Sequence, residues 1–223
     1  MERTITLERL TRYLGATGQD VSHALELYEY NVHISEVLYG LLHGLEVAVR
    51  NAQHQVLTVS YGTAAWYDLA PLSPYWRDQL NKAKVKPGIG GTPGKVLAEL
   101  TFGFWIDLIK SANHWTLWVN PHYKTGQGRG LHKAFPNARV ARSVIHDRLK
   151  AIQLLRNRIS HHEPVLTSSN ALYNGVPTLI TLPQLVECME WVCFDTAQWM
   201  RTQFRYIEAE RILKHVAGMK ISL

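Results

Sequence analysis

Residues 34–56 read ISEVLYGLLHGLEVAVRNAQHQV, and apolar side chains recur in this stretch at intervals of three and four. This spacing is typical of one face of an α-helix. The residues on that face are Ile34, Leu38, Leu41, Leu45, Ala48, Ala52 and Val56. The same period recurs over 137–163 and 183–217, and we predict a helix in each range. No convincing set of strands occurs, so we predict an all-α fold, a helical bundle with long loops.

Capping residues, glycines and prolines predict where the helices begin and end. Asp20 is a candidate N-cap for a segment starting at residue 21, and Gly62 suits the end of the helix over 34–56. Thr92 and Pro93 predict the start of a helix over 95–109, which Gly103 would kink or break. Pro164 should stop the helix over 137–163. We expect irregular chain over 61–92, 113–136 and 165–180, with a short extended piece at 178–181.

The composition limits the class of protein. The chain has 223 residues, of which 46% are hydrophobic and 19% charged, so it is not intrinsically disordered, and we expect one domain over 1–223. Cys188 and Cys193 lack the spacing of a zinc site and are too few for a disulfide-stapled fold. The sequence shows no signal peptide and no uncharged span of 18 apolar residues, so we expect a cytoplasmic protein without a membrane span.

Positive charge is concentrated in the middle of the chain. The formal net charge is +6, and residues 77–158 hold 15 Lys and Arg against 4 Asp and Glu. Residues 1–50, in contrast, hold 4 basic and 7 acidic side chains. Uneven basic charge indicates a polyanionic partner such as a nucleic acid, although a solvated basic surface without a partner would look the same.

The sequence RNRISHHEP at 156–164 is the sharpest local feature. Such a cluster can act on a phosphodiester without a metal, because a histidine moves protons near neutral pH and an arginine binds the phosphate. The alternative interpretation is structural: basic residues at the end of a helix hydrogen-bond its last carbonyls and interact favourably with its dipole. Arg156 and His161 lie about 140° apart on a helical wheel, at ~100° per residue. Either the helix end distorts, or a second copy completes the site in a homodimer.

The chain resembles the Abi-like (abortive infection) family of the HEPN superfamily. The motif that carries the resemblance is an arginine followed by a histidine after four to six residues, here Arg156 with His161 or His162. Further blocks occur in the family's order. They are LYEYN at 27–31, LEVAVRNA at 45–52, YGTAAWY at 61–67, VLAELTFGFW at 96–105, LHKAFPN at 131–137 and LLRNRISHHEPV at 154–165. The resemblance covers roughly residues 7–165.

The resemblance implies a HEPN-type helical bundle that acts as a homodimeric, metal-independent endoribonuclease of a phage-defence or toxin–antitoxin system. RNA is the implied partner, including a small noncoding RNA for some members, and an antitoxin is a further one. No cofactor is implied. Arg156 and His161 would be the catalytic pair, with Asn157 as the polar residue of the motif and His162 as the alternative histidine. Glu163 stands where adenylylated relatives carry a tyrosine, so that mode of control is not supported.

Other residues take secondary roles in this hypothesis. Glu46 would orient Arg156 or His161 from a neighbouring helix, or would only pair with Arg50 four residues on. The candidate RNA-binding residues are Arg158, Lys124, Arg129 and Arg148. Trp115, Trp118 and Tyr123 could stack bases or pack in the protein, and Trp105 is expected in the core. A noncatalytic RNA-binding module and a structural helical partner are the alternative functions.

Overall fold

The computed structural model describes residues 6–86, 88, 91–119, 130–166, 172–173, 176–177 and 180–219. Within these ranges the chain is almost entirely helical, which confirms the all-α class. The helices are α1 (Leu7–Ala16), α2 (Val21–Tyr61), α3 (Pro74–Val85), α4 (Pro93–Ala98), α5 (Phe102–Leu108), α6 (Arg142–Ser160), α7 (Leu182–Val192), α8 (Phe194–Thr202) and α9 (Phe204–Gly218). Two-residue strands, β1 (Leu172–Tyr173) and β2 (Val176–Pro177), pair antiparallel.

The chain forms two compact units. The first comprises Met1–Gly44, Ala151–Glu187 and Asp195–Leu223, and the second comprises Leu45–Lys150 and Cys188–Phe194. The first unit is therefore assembled from three separate stretches of sequence. The expectation of one domain over 1–223 stays a prediction.

Helix α2 is a single helix of 41 residues. Asp20 accepts a hydrogen bond from the His23 amide (3.0 Å), and Gly62 follows the last residue with a φ of +68°. Both predicted ends are thus confirmed, and the segments before and after residue 34 are continuous. Of the predicted apolar stripe, Ile34, Leu38, Leu41 and Leu45 are buried, whereas Ala48, Ala52 and Val56 are only half-buried and Val49 and Leu57 are buried in their place. In the described ranges α2 alone is long and apolar enough to cross a membrane, a test that core helices also pass, and a cytoplasmic location stays a prediction.

Helix α3 corrects the expectation of irregular chain over 61–92. The Ser73 hydroxyl accepts a hydrogen bond from the Trp76 amide (3.4 Å), and Pro74 is the first helical residue. Proline is favoured there because that amide would have no partner within the helix. Trp76 and Leu80 bury one face of α3, so the prolines of this segment mark a helix start rather than a loop.

The break within 95–109 lies before Gly103 and not at it. Helix α4 ends at Ala98, Thr101 is extended (φ −71°, ψ 163°), and α5 begins at Phe102. Gly103, Phe104 and Trp105 are all buried in α5. The expected core position of Trp105 is confirmed.

The helix over 137–163 is shorter than predicted at both ends. Asn137 donates its main-chain N–H to Trp191 O (3.3 Å) and its side-chain amide to Glu190 O (2.9 Å), so it holds a neighbouring segment instead of opening α6. Helix α6 begins at Arg142, whose guanidinium donates to Ile109 O (2.6 Å). It ends at Ser160, before the two histidines.

The single helix predicted over 183–217 is three helices. The Thr181 hydroxyl and the Gln184 side chain cap the start of α7 reciprocally. Helix α7 closes with a hydrogen bond from Cys193 N to Met189 O (2.8 Å). Gln203 is extended (φ −74°, ψ 144°) and separates α8 from α9. Neither break carries a glycine or proline, so periodicity alone could not place them.

Two other segments differ in detail from the expected loops. Residues His114–Val119 form a π-helical turn and Leu131–Ala134 a 3₁₀ turn within the segment predicted to be irregular. The Cβ of any residue larger than glycine at Gly130 would overlap the carbonyl oxygens of Trp118 and Val119. Of the extended piece predicted at 178–181, residues 178 and 179 lie outside the described residues.

Candidate functional site

The chain leaves α6 through a Schellman turn that carries both histidines. His161 N donates to Asn157 O (2.9 Å), His162 N to Ile159 O (3.0 Å) and Glu163 N to Arg158 O (2.8 Å). His162 has a φ of +55°, the left-handed conformation that this motif needs and that glycine usually supplies. Helix α6 therefore ends in an ordinary C-terminal motif, and the choice between a distorted helix end and a second copy that completes the site stays open at this point.

Two arginines stabilise this turn. The Nη2 atom of Arg9, on α1, donates to His162 O at 2.7 Å. The Nε atom of Arg158 lies 3.4 Å from Glu163 Oε2, and the Arg158 side chain is only 13% exposed. These contacts hold the backbone, while His161 and His162 remain exposed. Arg158, predicted to bind RNA, thus pairs with a carboxylate of its own turn.

Both histidines line a cleft of about 430 Å³ in the first unit. Helix α1 supplies the opposite side, including two arginines that the sequence analysis did not select. The full lining is Thr6, Glu8, Arg9, Arg12, Tyr13, His161, His162, Glu163 and Pro164. A second depression of about 680 Å³ shares Arg9 and His162 with the cleft and adds Tyr28, Asn31 and Tyr39. Histidines and arginines thus converge on one concave surface of a single chain.

Tyr13 lines the cleft as a neutral hydroxyl. Burial raises its pKa to about 12, Tyr28 adds to this rise, and the positive charges of Arg9 and Arg12 oppose it. The Tyr13 side chain is 2% exposed and meets the Tyr28 ring edge-on, with centroids 5.5 Å apart. Because the tyrosine stays protonated near neutral pH, it adds no negative charge to a cleft that holds two arginines.

Arg156 and Asn157 contact each other on α6. Arg156 Nη1 donates to Asn157 Oδ1 at 3.4 Å, and both side chains are half-buried. Arg156 is not part of the lining of the cleft that holds His161. The structure therefore brings His161 together with His162, Arg9 and Arg12, and it pairs Arg156 with Asn157.

The remaining predicted site residues lie elsewhere. Glu46 and Arg148 are half-buried in the second unit, whereas Arg156 and His161 belong to the first, so the orienting role of Glu46 stays a prediction. Lys124, Arg129 and Tyr123 lie outside the described residues. Trp115 is 75% exposed, and Trp118 is half-buried with its ring 6.0 Å from that of Phe135.

Arg9 and Arg12 were not predicted as site residues from the sequence, and the reason is physical. They lie in the first 50 residues, where acidic side chains outnumber basic ones, so charge density pointed away from them. The one available signal was their spacing of three residues, which places both on one face of α1.

In the described part of the chain, no group of three or more His, Cys, Asp or Glu is arranged to hold a metal ion. Comparisons with protein-family models, curated proteins and solved structures found no match to this chain. The resemblance to Abi-like proteins therefore rests on the sequence motifs alone.

Proposed function

We propose that the protein is a metal-independent, HEPN-type endoribonuclease of a bacterial phage-defence (abortive infection) or toxin–antitoxin system. One observation carries the proposal. The end of α6 exposes His161 and His162 in a cleft that also holds arginines of the same chain. Imidazoles can transfer the protons and guanidinium groups can stabilise the phosphate charge in a phosphodiester cleavage that uses no metal ion.

In the proposed reaction, neutral His161 accepts the proton of an RNA 2′-hydroxyl. The 2′-oxygen attacks the adjacent phosphorus, and the bond from phosphorus to the 5′-oxygen breaks. A protonated histidine supplies the proton that the leaving 5′-oxygen needs, and this proposal assigns that role to His162. The product ends are a 2′,3′-cyclic phosphate and a 5′-hydroxyl. Arginine stabilises the charge that develops on the phosphate oxygens.

A homodimer completes the site in this proposal. Arg156 does not line the cleft of its own chain, so we assign it to the cleft of a second copy, across a twofold axis. Asn157 would hold the Arg156 guanidinium through their 3.4 Å contact.

Cleavage of RNA in EDTA tests the proposal. Wild type should cleave, whereas Arg156→Ala and His161→Ala should each lose ~100-fold or more in rate. His43→Ala, which removes an exposed histidine from α2, is the matched control and should retain activity. Cleavage undiminished in both site variants would contradict the proposal.

Mixing the two inactive variants tests the shared site. An Arg156→Ala chain paired with a His161→Ala chain contains one site with both groups intact, provided that they come from different chains. Activity should therefore return in the mixture. An inactive mixture that still forms dimers would place both groups in one chain.

The role of Glu46 has its own test. Glu46→Gln keeps the shape of the side chain but removes the charge that would hold the histidine tautomer. We expect slower cleavage and a shifted pH–rate profile, and unchanged cleavage would remove Glu46 from the site.

The alternative function is a noncatalytic RNA-binding module. The exposed Trp115, in the segment that holds most of the basic side chains, favours it because an exposed ring can stack unpaired bases. RNA binding that survives Arg156→Ala and His161→Ala, in a protein that never cleaves, would support this alternative.

A further inference from the structure

Helix α1 presents two arginines to the cleft on a well-anchored surface. The Thr6 hydroxyl accepts a hydrogen bond from the Arg9 amide (3.4 Å) and caps the helix. Leu10 and Tyr13 of this helix are buried, and Tyr13 lines the cleft beside the two arginines. Arg9 and Arg12 are three residues apart, so their side chains project from neighbouring positions on the exposed face. Packing of α1 therefore fixes the backbone from which both arginine side chains project into the cleft.

The two arginines differ in the contacts that they make. Arg9 donates to the His162 carbonyl and so supports the turn. Arg12 is exposed and forms no ion pair with any carboxylate in the described ranges. Its guanidinium carries five N–H donors in a planar fork that matches two phosphate oxygens. Among the described residues no carboxylate occupies the donors of Arg12, so they can bind an incoming anion.

Two carboxylates also line the cleft, and their effects differ. Glu163 is paired with Arg158, which offsets its charge. Glu8 lies four residues before Arg12 on the same face of α1. An anion that enters the cleft would be attracted by Arg12 and repelled by Glu8. Removal of either charge should therefore change the affinity for a negatively charged ligand, in opposite directions.

The geometry points to Arg12 as an RNA-phosphate-binding residue of the His161–His162 cleft, supplied by the same chain as the histidines. This inference rests on the proposed function and deepens it. The chain then carries an arginine and the proton-transferring histidines on one surface, in addition to the Arg156 contributed by its partner. Arg9 is a positioning residue that presents His162.

Binding of a non-cleavable RNA isolates the role of Arg12 from the chemistry. The probe is a fluorescent hexanucleotide with 2′-O-methyl groups throughout, which lacks the attacking hydroxyl. Arg12→Ala should weaken its binding ~10-fold or more and reduce the slope of log K against log salt by about 0.7. Arg12→Lys should lose less, because it keeps the charge without the fork. Glu8→Gln should bind more tightly than wild type.

Lys214→Ala is the matched control, because it removes one positive charge from an exposed position of α9 outside the cleft. Its affinity should stay within about twofold of wild type. On cleavable RNA, Arg12→Ala should raise KM more than it lowers kcat. Arg12→Ala that binds and cleaves like Lys214→Ala would overturn the inference and leave the nuclease intact. Glu8→Gln that weakens binding, or wild type that does not bind the probe, would also overturn it. Wild type that binds the probe through Arg12 yet never cleaves RNA would instead refute the proposed activity.

Discussion

Glycine in place of His162 should stabilise the protein, whereas glycine in place of the neighbouring His161 should destabilise it. His162 has a φ of +55°, and His161 is not among the described residues with positive φ. The left-handed conformation costs an ordinary L-residue ~1–2 kcal/mol, and glycine adopts it without this penalty. At position 161 glycine brings no such relief.

The expected magnitudes follow from two opposing terms. Glycine costs ~0.5–1 kcal/mol of additional backbone entropy on folding. At position 162 the relief of the left-handed strain exceeds this cost, which leaves a net gain of about 0.5 kcal/mol. At position 161 only the entropy cost applies. The two variants should therefore differ by ~1–1.5 kcal/mol in unfolding free energy, with opposite signs relative to wild type.

Urea unfolding followed by circular dichroism measures both effects as shifts of the midpoint. Gln19 provides a control outside the cleft, because its φ is +69° and its amide donates to Leu14 O (2.8 Å) at the end of α1. Gln19→Gly should also gain stability and should leave RNA cleavage unchanged. His162→Gly should lose cleavage if His162 supplies the leaving-group proton.

Equal destabilisation by glycine at 161 and 162 would refute the reasoning. It would mean that residue 162 does not adopt the left-handed conformation in solution, and the Schellman turn that presents both histidines would be wrong. A stable but inactive His162→Gly would show that strain at this position is retained for function.

Other consequences are as direct. Gly130→Ala should cost more than ~3 kcal/mol in unfolding free energy because the methyl group meets backbone, whereas Gly94→Ala, with open space around it, should gain ~0.5–1 kcal/mol. Asn31→Ala should lose ~2–4 kcal/mol in urea unfolding, because its Oδ1 accepts from two main-chain amides after α6 at 2.6 and 3.1 Å, and Asn31→Asp, which keeps the acceptor, should lose less. Burial, and then Arg50, lowers the pKa of His54, which accepts a hydrogen bond from Trp66 Nε1 (3.0 Å). The unfolded chain binds the proton first, so stability should fall as the pH drops below about 6.5, and the non-titrating His54→Gln should show a flatter dependence of the urea midpoint on pH.

Sequence periodicity and capping residues predicted those helix ends that are fixed by interactions between residues close in sequence. Asp20 and Gly62 bound α2 as expected, because a side-chain acceptor and a left-handed glycine act within one turn of the helix. The segment before α6 and the first residue of α6 are held instead by contacts with distant residues. Asn137, for example, bonds to a segment more than 50 residues later. Such ends have no signature in the local sequence.

In the candidate site, too, the sequence predicted the residues that are adjacent in the chain and missed those that only the fold brings together. The cluster at the end of α6 was visible because its basic and imidazole side chains are adjacent in the chain. The angular separation of Arg156 and His161 on the helical wheel agrees with the structure, in which Arg156 does not line the cleft that holds His161. Arg9 and Arg12 could not be found this way, since only the packing of α1 places them beside His162.

The separation in sequence of the two sides of the cleft bears on how the protein is made. Arg9 and the carbonyl that it holds are 153 residues apart, and the first unit is built from both ends of the chain. Closing so long a loop is slow, and a growing chain cannot form the contact until the end of α6 has left the ribosome. The second unit, in contrast, is nearly contiguous. In the proposed nuclease, the two sides of the cleft therefore cannot meet until residues 161–164 have been synthesised, so the RNA of the translation machinery meets no complete cleft before that stage.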